Sequence, residues 1–261
     1  VSARPADILS SIVETTRNGI RAGLYRAAAE GKKRPEGARF ESSLREPGTR
    51  IIAEIKHRSP SSGEILPHAD RKVETLALAY RRGHAAAISV VTEREFFGGH
   101  PDWVARAKGI SGLPVLMKDF FLEESQLDFA SSLGADAILL MAAILDDATF
   151  AGMFAAAGER GLAVVAEVHD EEELRRVSSA GAAIVGVNAR DLRTFEVSLA
   201  GASALARIIP PGALRLAESG VRSRADIESL AIAGFEAFLV GETLLKSDNP
   251  EEALRELRGD R

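Results

Sequence analysis

From residue 50 onward the chain alternates between two textures. Short, mostly continuous apolar runs occur at Ile51–Ile55, Ala86–Val91, Pro114–Met117, Asp136–Met141, Leu162–Val168, Ala183–Val187, Leu214–Ala217 and Ala237–Val240. Continuous rather than alternating apolar character fits strands covered on both faces, as in a parallel sheet. Between the runs lie segments with a 3.6-residue apolar period, such as Val73–Arg82, Glu123–Leu133, Asp147–Arg160, Glu171–Ala180 and Arg224–Ala233. Gly83, Gly134, Gly161, Gly181 and Gly234 each fall just past a helical pattern and just before a strand. Glycine supplies the left-handed turn that ends a helix. Eight such units predict a (β/α)8 TIM barrel, an α/β fold. A doubly wound open sheet is the rival, but no G-x-G-x-x-G fingerprint occurs.

The segment before the barrel has a different pattern. Ile8, Leu9, Ile12, Val13 and Ile20 fall on one helical face. This predicts an N-terminal helical extension over 1–45 that packs on the barrel of 46–261 as a lid or plug, all within a single domain. The polar stretch Glu30–Gly37 is the one candidate hinge.

Composition narrows the classes. The chain has 261 residues, with 33 Lys and Arg against 38 Asp and Glu, a formal net charge of −5. That balance argues against nucleic acid as a partner. No apolar run nears the ~18 residues of a membrane span, and the N-terminus lacks a signal-peptide apolar stretch. There is no cysteine, which excludes a disulfide framework, thiolate metal sites and thiol catalysis. The expected setting is the cytoplasm.

In this fold the chemistry sits at the C-terminal strand ends and the loops after them. Three runs end in Ala-Glu, at Glu54, Glu167 and Glu218, and the third run ends at Lys118. All four are on odd-numbered strands, which share side-chain layers. The expectation is one layer of Glu54, Lys118, Glu167 and Glu218, with Lys56 just above it and Asn188 and Arg190 after the sixth run. Ionised groups are rarely buried without partners, so charges converging from five strands point either to an ion-pair network closing the barrel or to acid–base chemistry.

Ser219-Gly220 after the seventh run and Gly241 after the eighth suggest a phosphate cradle of backbone N–H groups, joined by Ser59 in the Arg58–Gly63 loop. The aromatic pairs Phe96-Phe97 and Phe120-Phe121 either pack beneath their loops or line a pocket for a flat ring. The five histidines (57, 68, 84, 100 and 169) show no metal-ligand spacing and are read as surface groups, so no metal site is expected.

These residues resemble a known family. Ile52-Ala53-Glu54-Ile55-Lys56 leading into Ser59-Pro60-Ser61 and Gly63 looks like the signature of indole-3-glycerol phosphate synthase. Lys118-Asp119-Phe120, Glu167-Val168-His169, Gly186 through Leu192, Ala217 through Val221 and Leu239 through Glu242 continue it in order. His57 and Met117 stand where bacterial members usually carry other residues.

The resemblance implies ring closure of 1-(o-carboxyphenylamino)-1-deoxyribulose 5-phosphate to indole-3-glycerol phosphate, with loss of CO2 and water, in tryptophan biosynthesis. It implies no cofactor. Lys118 then resembles the general acid for ring closure and Glu167 the acid/base group of the dehydration. Glu54 and Lys56 resemble orienting and assisting groups, and which lysine donates at which step stays open. Asn188 and Glu218 resemble groups that position the intermediate, and Arg190 a partner of the anthranilate carboxylate. Ser59, Ser219, Gly220 and Gly241 resemble the phosphate set, with Phe120 in the substrate pocket. The only partner expected is this small phosphorylated anthranilate-derived molecule, with neither nucleic acid nor membrane. The chain is expected to be a monomer, with a weak dimer as the alternative. Two other readings remain: a phosphosugar aldolase or isomerase using a lysine Schiff base on the same barrel, and a barrel kept as a non-catalytic interaction scaffold.

Overall fold

The computed structural model describes residues 5–27, 35–190 and 197–260. Part of the candidate hinge (residues 30–34) and the Asp191-Leu192 end of one motif lie outside them.

Eight parallel strands close into a barrel: β1 Arg50–Ile55, β2 Ala87–Val91, β3 Val115–Lys118, β4 Ala137–Met141, β5 Ala163–Val168, β6 Ile184–Asn188, β7 Leu214–Glu218 and β8 Ala237–Val240. Each pairs with its sequence neighbours, and β8 returns to β1 through Arg50↔Ala237 to Ala53↔Val240. The fold is therefore a (β/α)8 barrel. The third strand starts at Val115 rather than Pro114, since proline has no N–H for the ladder.

Strand alternation divides the core in two. Along β1, Ile51, Ala53 and Ile55 join the cluster between barrel and helices. Ile52 instead joins Leu116, Val165 and Leu216 inside the barrel. These four come from odd strands and form one interior layer. One turn of the pleat higher, the same strands present Glu54, Lys118, Glu167 and Glu218. The apolar runs thus build the barrel and their last inward residues build the site.

The outer helices are α3 Val73–Arg82, α4 Asp102–Ser111, α5 Ser125–Ser132, α6 Asp147–Glu159, α7 Glu171–Ser179, α8 Leu199–Ala206 and α9 Arg224–Ile232, followed by α10 Glu242–Leu245 and α11 Pro250–Arg258. Four of the five glycines read as helix stops have positive φ. Gly83 does not, at φ −78°. The left-handed residue there is His84, at φ 61°. Gly83 answers to packing instead, because a Cβ would lie 2.9 Å from Leu254 Cδ2 and 3.0 Å from the Glu251 carbonyl oxygen.

The extension serves both ends of the barrel. Its first helix, α1 (Pro5–Arg21), turns Ile8, Leu9 and Ile12 to the mouth. Val13 and Ile20 pack on the outer cluster with Tyr25, whose ring meets Phe129 edge-on at 5.6 Å. The second, α2 (Gly37–Arg45), closes the floor: Phe40 and Leu44 are fully buried in the interior cluster. Backbone bonds anchor it there, from Gly37 N–H to the Gly161 carbonyl at 3.0 Å and from Glu36 N–H to Asp136 Oδ1 at 2.9 Å. Lid and plug are thus two separate helices. Among the described residues no helix is long and apolar enough to cross a membrane.

Candidate active site

A cavity of about 600 Å³ opens at the C-terminal mouth of the barrel. Every residue singled out as a site candidate lines it: Glu54, Lys56, Ser59, Lys118, Phe120, Glu167, Asn188, Arg190, Glu218, Ser219, Gly220 and Gly241. The strands supply the charged layer at the base of the cavity and the loops supply the rim.

Lys118 is the centre. Its Nζ lies 2.5 Å from Glu218 Oε2 and 3.5 Å from Glu167 Oε2. Glu54, Glu167 and Glu218 are each about 2% exposed or less. Lys56 Nζ donates to Glu54 Oε1 at 2.5 Å. Asn188 Nδ2 donates to Glu167 Oε1 at 3.1 Å, and its own Oδ1 accepts from the Arg190 N–H at 3.1 Å.

Two glycines make room for this layer. A Cβ on Gly186 would stand 2.1 Å from Glu218 Oε1. One on Gly241 would stand 2.5 Å from Glu54 Oε1. Gly241 therefore serves the carboxylate layer as well as the rim. After β7 the backbone turns through two left-handed residues, Ser219 at φ 70° and Gly220 at φ 84°.

The environments drive the two central carboxyls apart. Burial opposes ionisation of Glu167, but Lys118, His169 and Asn188 overcome it and bring its carboxyl down to about 2. Burial raises Glu218 to about 7, with Lys118 opposing and the Glu167 charge reinforcing the rise. The carboxylate nearer to Lys118 is the one that holds a proton more readily. The reason is local: among the described residues Glu167 has Lys118, His169 and Asn188 as polar partners, whereas Glu218 Oε1 is buried and makes no hydrogen bond. Burial also works against the Lys118 charge, but Glu218, Glu167 and Glu54 outweigh it and hold the ammonium well above the ordinary lysine value.

The Glu218 shift has a stability consequence. Between its ordinary value of 4.5 and about 7, the folded state binds the proton more tightly than the unfolded state, so stability falls as pH rises through that window. Below the window both states are protonated and the penalty vanishes. Above it the penalty is full, on the order of a few kcal/mol. Glu218→Gln keeps the shape of the neutral carboxyl. It should raise Tm by several degrees at about pH 8 and by almost nothing at about pH 4. Calorimetric scans at both pH values check this, and an equal gain at the two would contradict it.

Several expectations need correction. Arg58, the neighbour of Ser59, does not line the cavity: its guanidinium donates to the Glu95 and Phe96 carbonyls and ties the loop after β1 to that after β2. Each aromatic pair splits. Phe97 and Phe120 line the cavity with ring centroids 6.1 Å apart, while Phe121 is buried beneath its loop. Glu93 fixes the first loop by accepting from the N–H groups of Glu95, Phe96 and Phe97 at 2.8–2.9 Å. His57 and Met117 lie off the cavity lining: His57 Nδ1 bonds the Leu66 carbonyl and Met117 is fully buried.

His169 is no surface group. Its ring is largely buried beside Glu167. The Glu-x-His spacing was the available signal, because residues i and i+2 of a strand share a face. Arg222 and Lys246, two further cations of the rim, were also missed. They sit in loops with no periodicity to mark them.

Comparison with known proteins identifies the family. The family model for indole-3-glycerol phosphate synthase matches residues 9–257. The chain is 42% identical over 225 residues to indole-3-glycerol phosphate synthase 2 of Streptomyces coelicolor, covering 86% of each chain. It is 39% identical over 257 residues to the synthase of Mycolicibacterium smegmatis, covering 97% of this chain and 94% of that one. Among solved structures, a 3-hexulose-6-phosphate synthase superposes with a TM-score of 0.62 at 19% identity, covering 82% of this chain and 99% of that one, a likeness of fold alone. The chain belongs to the indole-3-glycerol phosphate synthase family.

Proposed function

We infer that this chain converts 1-(o-carboxyphenylamino)-1-deoxyribulose 5-phosphate to indole-3-glycerol phosphate, CO2 and water. The observation that carries the reading is the Lys118 ammonium held between Glu218 and Glu167 in the mouth cavity. Attack of the aromatic carbon on the substrate carbonyl places charge on oxygen, and a preorganised, partly desolvated ammonium stabilises it. Loss of CO2 restores the aromatic ring. Departure of the hydroxyl as water then needs an acid, and formation of the indole double bond needs a base. Two carboxyls with separated proton affinities suit that pair of tasks: Glu167 stands ionised as the base and Glu218 holds a proton near neutrality.

The periphery suits the rest of the substrate. Phe97 and Phe120 offer apolar faces to the anthranilate ring, and Arg190 a cation to its carboxylate. Ser59, Ser219, Gly220 and Gly241 form the phosphate end, supported by Arg222 and Lys246. Lys56, paired with Glu54, orients and assists.

The aldolase reading fits the site less well. A Schiff-base lysine needs a free amine and a lowered proton affinity, whereas Lys118 is held as an ammonium by its carboxylates. The test is direct: folded protein incubated with the carboxyphenylamino substrate should generate indole fluorescence, with CO2 released one for one. Folded protein that releases neither overturns the reading.

A further inference from the structure

Where β5 runs into α7, His169 bridges two carboxylates. Its Nδ1 lies 3.1 Å from Glu173 Oε2, and its Nε2 lies 3.4 Å from Glu167 Oε1. The same Glu173 oxygen accepts the His169 backbone N–H at 2.7 Å. An ionised carboxylate only accepts hydrogen bonds, so Nδ1 must carry a hydrogen. A neutral ring would then point its Nε2 lone pair at buried Glu167. That nitrogen is buried, and among the described residues the group it faces is Glu167, at an ion-pair distance rather than in a hydrogen bond, so a second proton on the ring turns a repulsive contact into an attractive one. The two flanking carboxylates together favour an imidazolium.

Helix capping accounts for part of the arrangement. Asp170 caps α7 through the Glu173 N–H, and Glu173 reaches back to the chain before the helix. Capping explains the backbone bond. It does not explain an imidazole edge facing the innermost carboxylate of the cavity.

We propose that His169 is a positioning residue for the reaction: held as a cation by Glu173, it fixes the Glu167 carboxylate in place and keeps it ionised as the base. This rests on the role of Glu167 in the proposed reaction. Among the described residues, the charged and polar groups facing the pair are Glu173 from α7, Lys118 from β3, Asn188 from β6 and Glu218 from β7. Burial disfavours the imidazolium, yet Glu167 and Glu173 raise its titration to about 10.

The experiment has two arms. In the free protein, the His169 ring followed by NMR should stay protonated through neutrality and titrate near 10. In Glu173→Gln, which keeps an acceptor for the backbone N–H, it should titrate at least about one unit lower. A ring that titrates near the ordinary 6.5, or one unmoved by Glu173→Gln, overturns the proposal. In turnover, His169→Gln places an uncharged N–H near Glu167. It should lower kcat about tenfold with KM within about twofold. Any alkaline fall of kcat that tracks the imidazolium in the wild type should vanish in His169→Gln and move to lower pH in Glu173→Gln. Wild-type kcat in His169→Gln overturns the proposal. If the unmodified protein does not turn the substrate over, the proposed reaction fails, and the titration, which needs no substrate, still decides whether the imidazolium exists.

Discussion

Replacing Lys118 by Met is expected to lower kcat about 10³-fold while leaving the barrel folded. Methionine keeps most of the side-chain volume and removes the charge. In the proposed reaction, the oxygen on which ring closure places charge then loses the Lys118 ammonium. Lys56 stands as the alternative donor, but its Nζ is engaged by Glu54 and it rises from a residue beyond the strand end. Lys56→Met is therefore expected to cost less than Lys118→Met, and the pair of variants assigns the step between the two lysines. The variant should also change how stability depends on pH. Without the cation, Glu167 and Glu218 face each other buried, and one takes up a proton at neutrality. Lys118→Met should thus approach wild-type stability at acid pH and fall below it as pH rises. Single-turnover kinetics and thermal scans across pH read both effects. A kcat within tenfold of wild type would remove Lys118 from the centre of the mechanism.

The parts of this site that could be read from the sequence share a physical cause. A charge that directly follows a continuous apolar run interrupts a pattern the interior enforces, so Glu54, Lys118, Glu167 and Glu218 stand out one by one. Their odd-strand spacing by itself places them in one layer. The helix stops are legible because few residues accept positive φ. Even there, Gly83 shows that packing against Leu254 leaves the same mark as a left-handed turn.

What was not legible depends on contacts between elements. The apolar face of α1 announces burial but not which end of the barrel it covers, and nothing in Phe40 or Leu44 says that α2 plugs the floor. Phe97 and Phe121 are each half of an identical pair, and loop geometry set by Glu93 and Gln126 separates the ring in the cavity from the ring beneath it. Nothing in the sequence tells Arg58, whose guanidinium goes to the carbonyls of the next loop, from the neighbouring Ser59 that lines the cavity. Net charge is equally blind: a chain of −5 still gathers Lys56, Lys118, Arg190, Arg222 and Lys246 around one cavity.

Gly186 is the least visible of the important positions, because its contribution is an absent side chain. It sits inside an otherwise apolar strand, Ile184-Val185-Gly186-Val187, where glycine weakens the strand and marks the close approach of another group. That group is Glu218, whose Oε1 occupies the place a Cβ would take. Gly186→Ala must push the carboxylate away, since Val165 Cγ1 stands 3.1 Å off on another side. The displaced group is the one that grips Lys118 at 2.5 Å, so the lysine moves with it. A misplacement of about 1 Å in a reacting constellation costs roughly 10²-fold, and the overpacking itself costs about 1–3 kcal/mol of stability. The expected result is a folded barrel with kcat down about a hundredfold. A double-mutant cycle isolates the cause. In a Glu218→Ala background the space is open, and adding Gly186→Ala should change kcat hardly at all. Two fully additive effects would show that the alanine acts through the strand rather than through Glu218. Strong non-additivity would show that this glycine is retained for the carboxylate it admits.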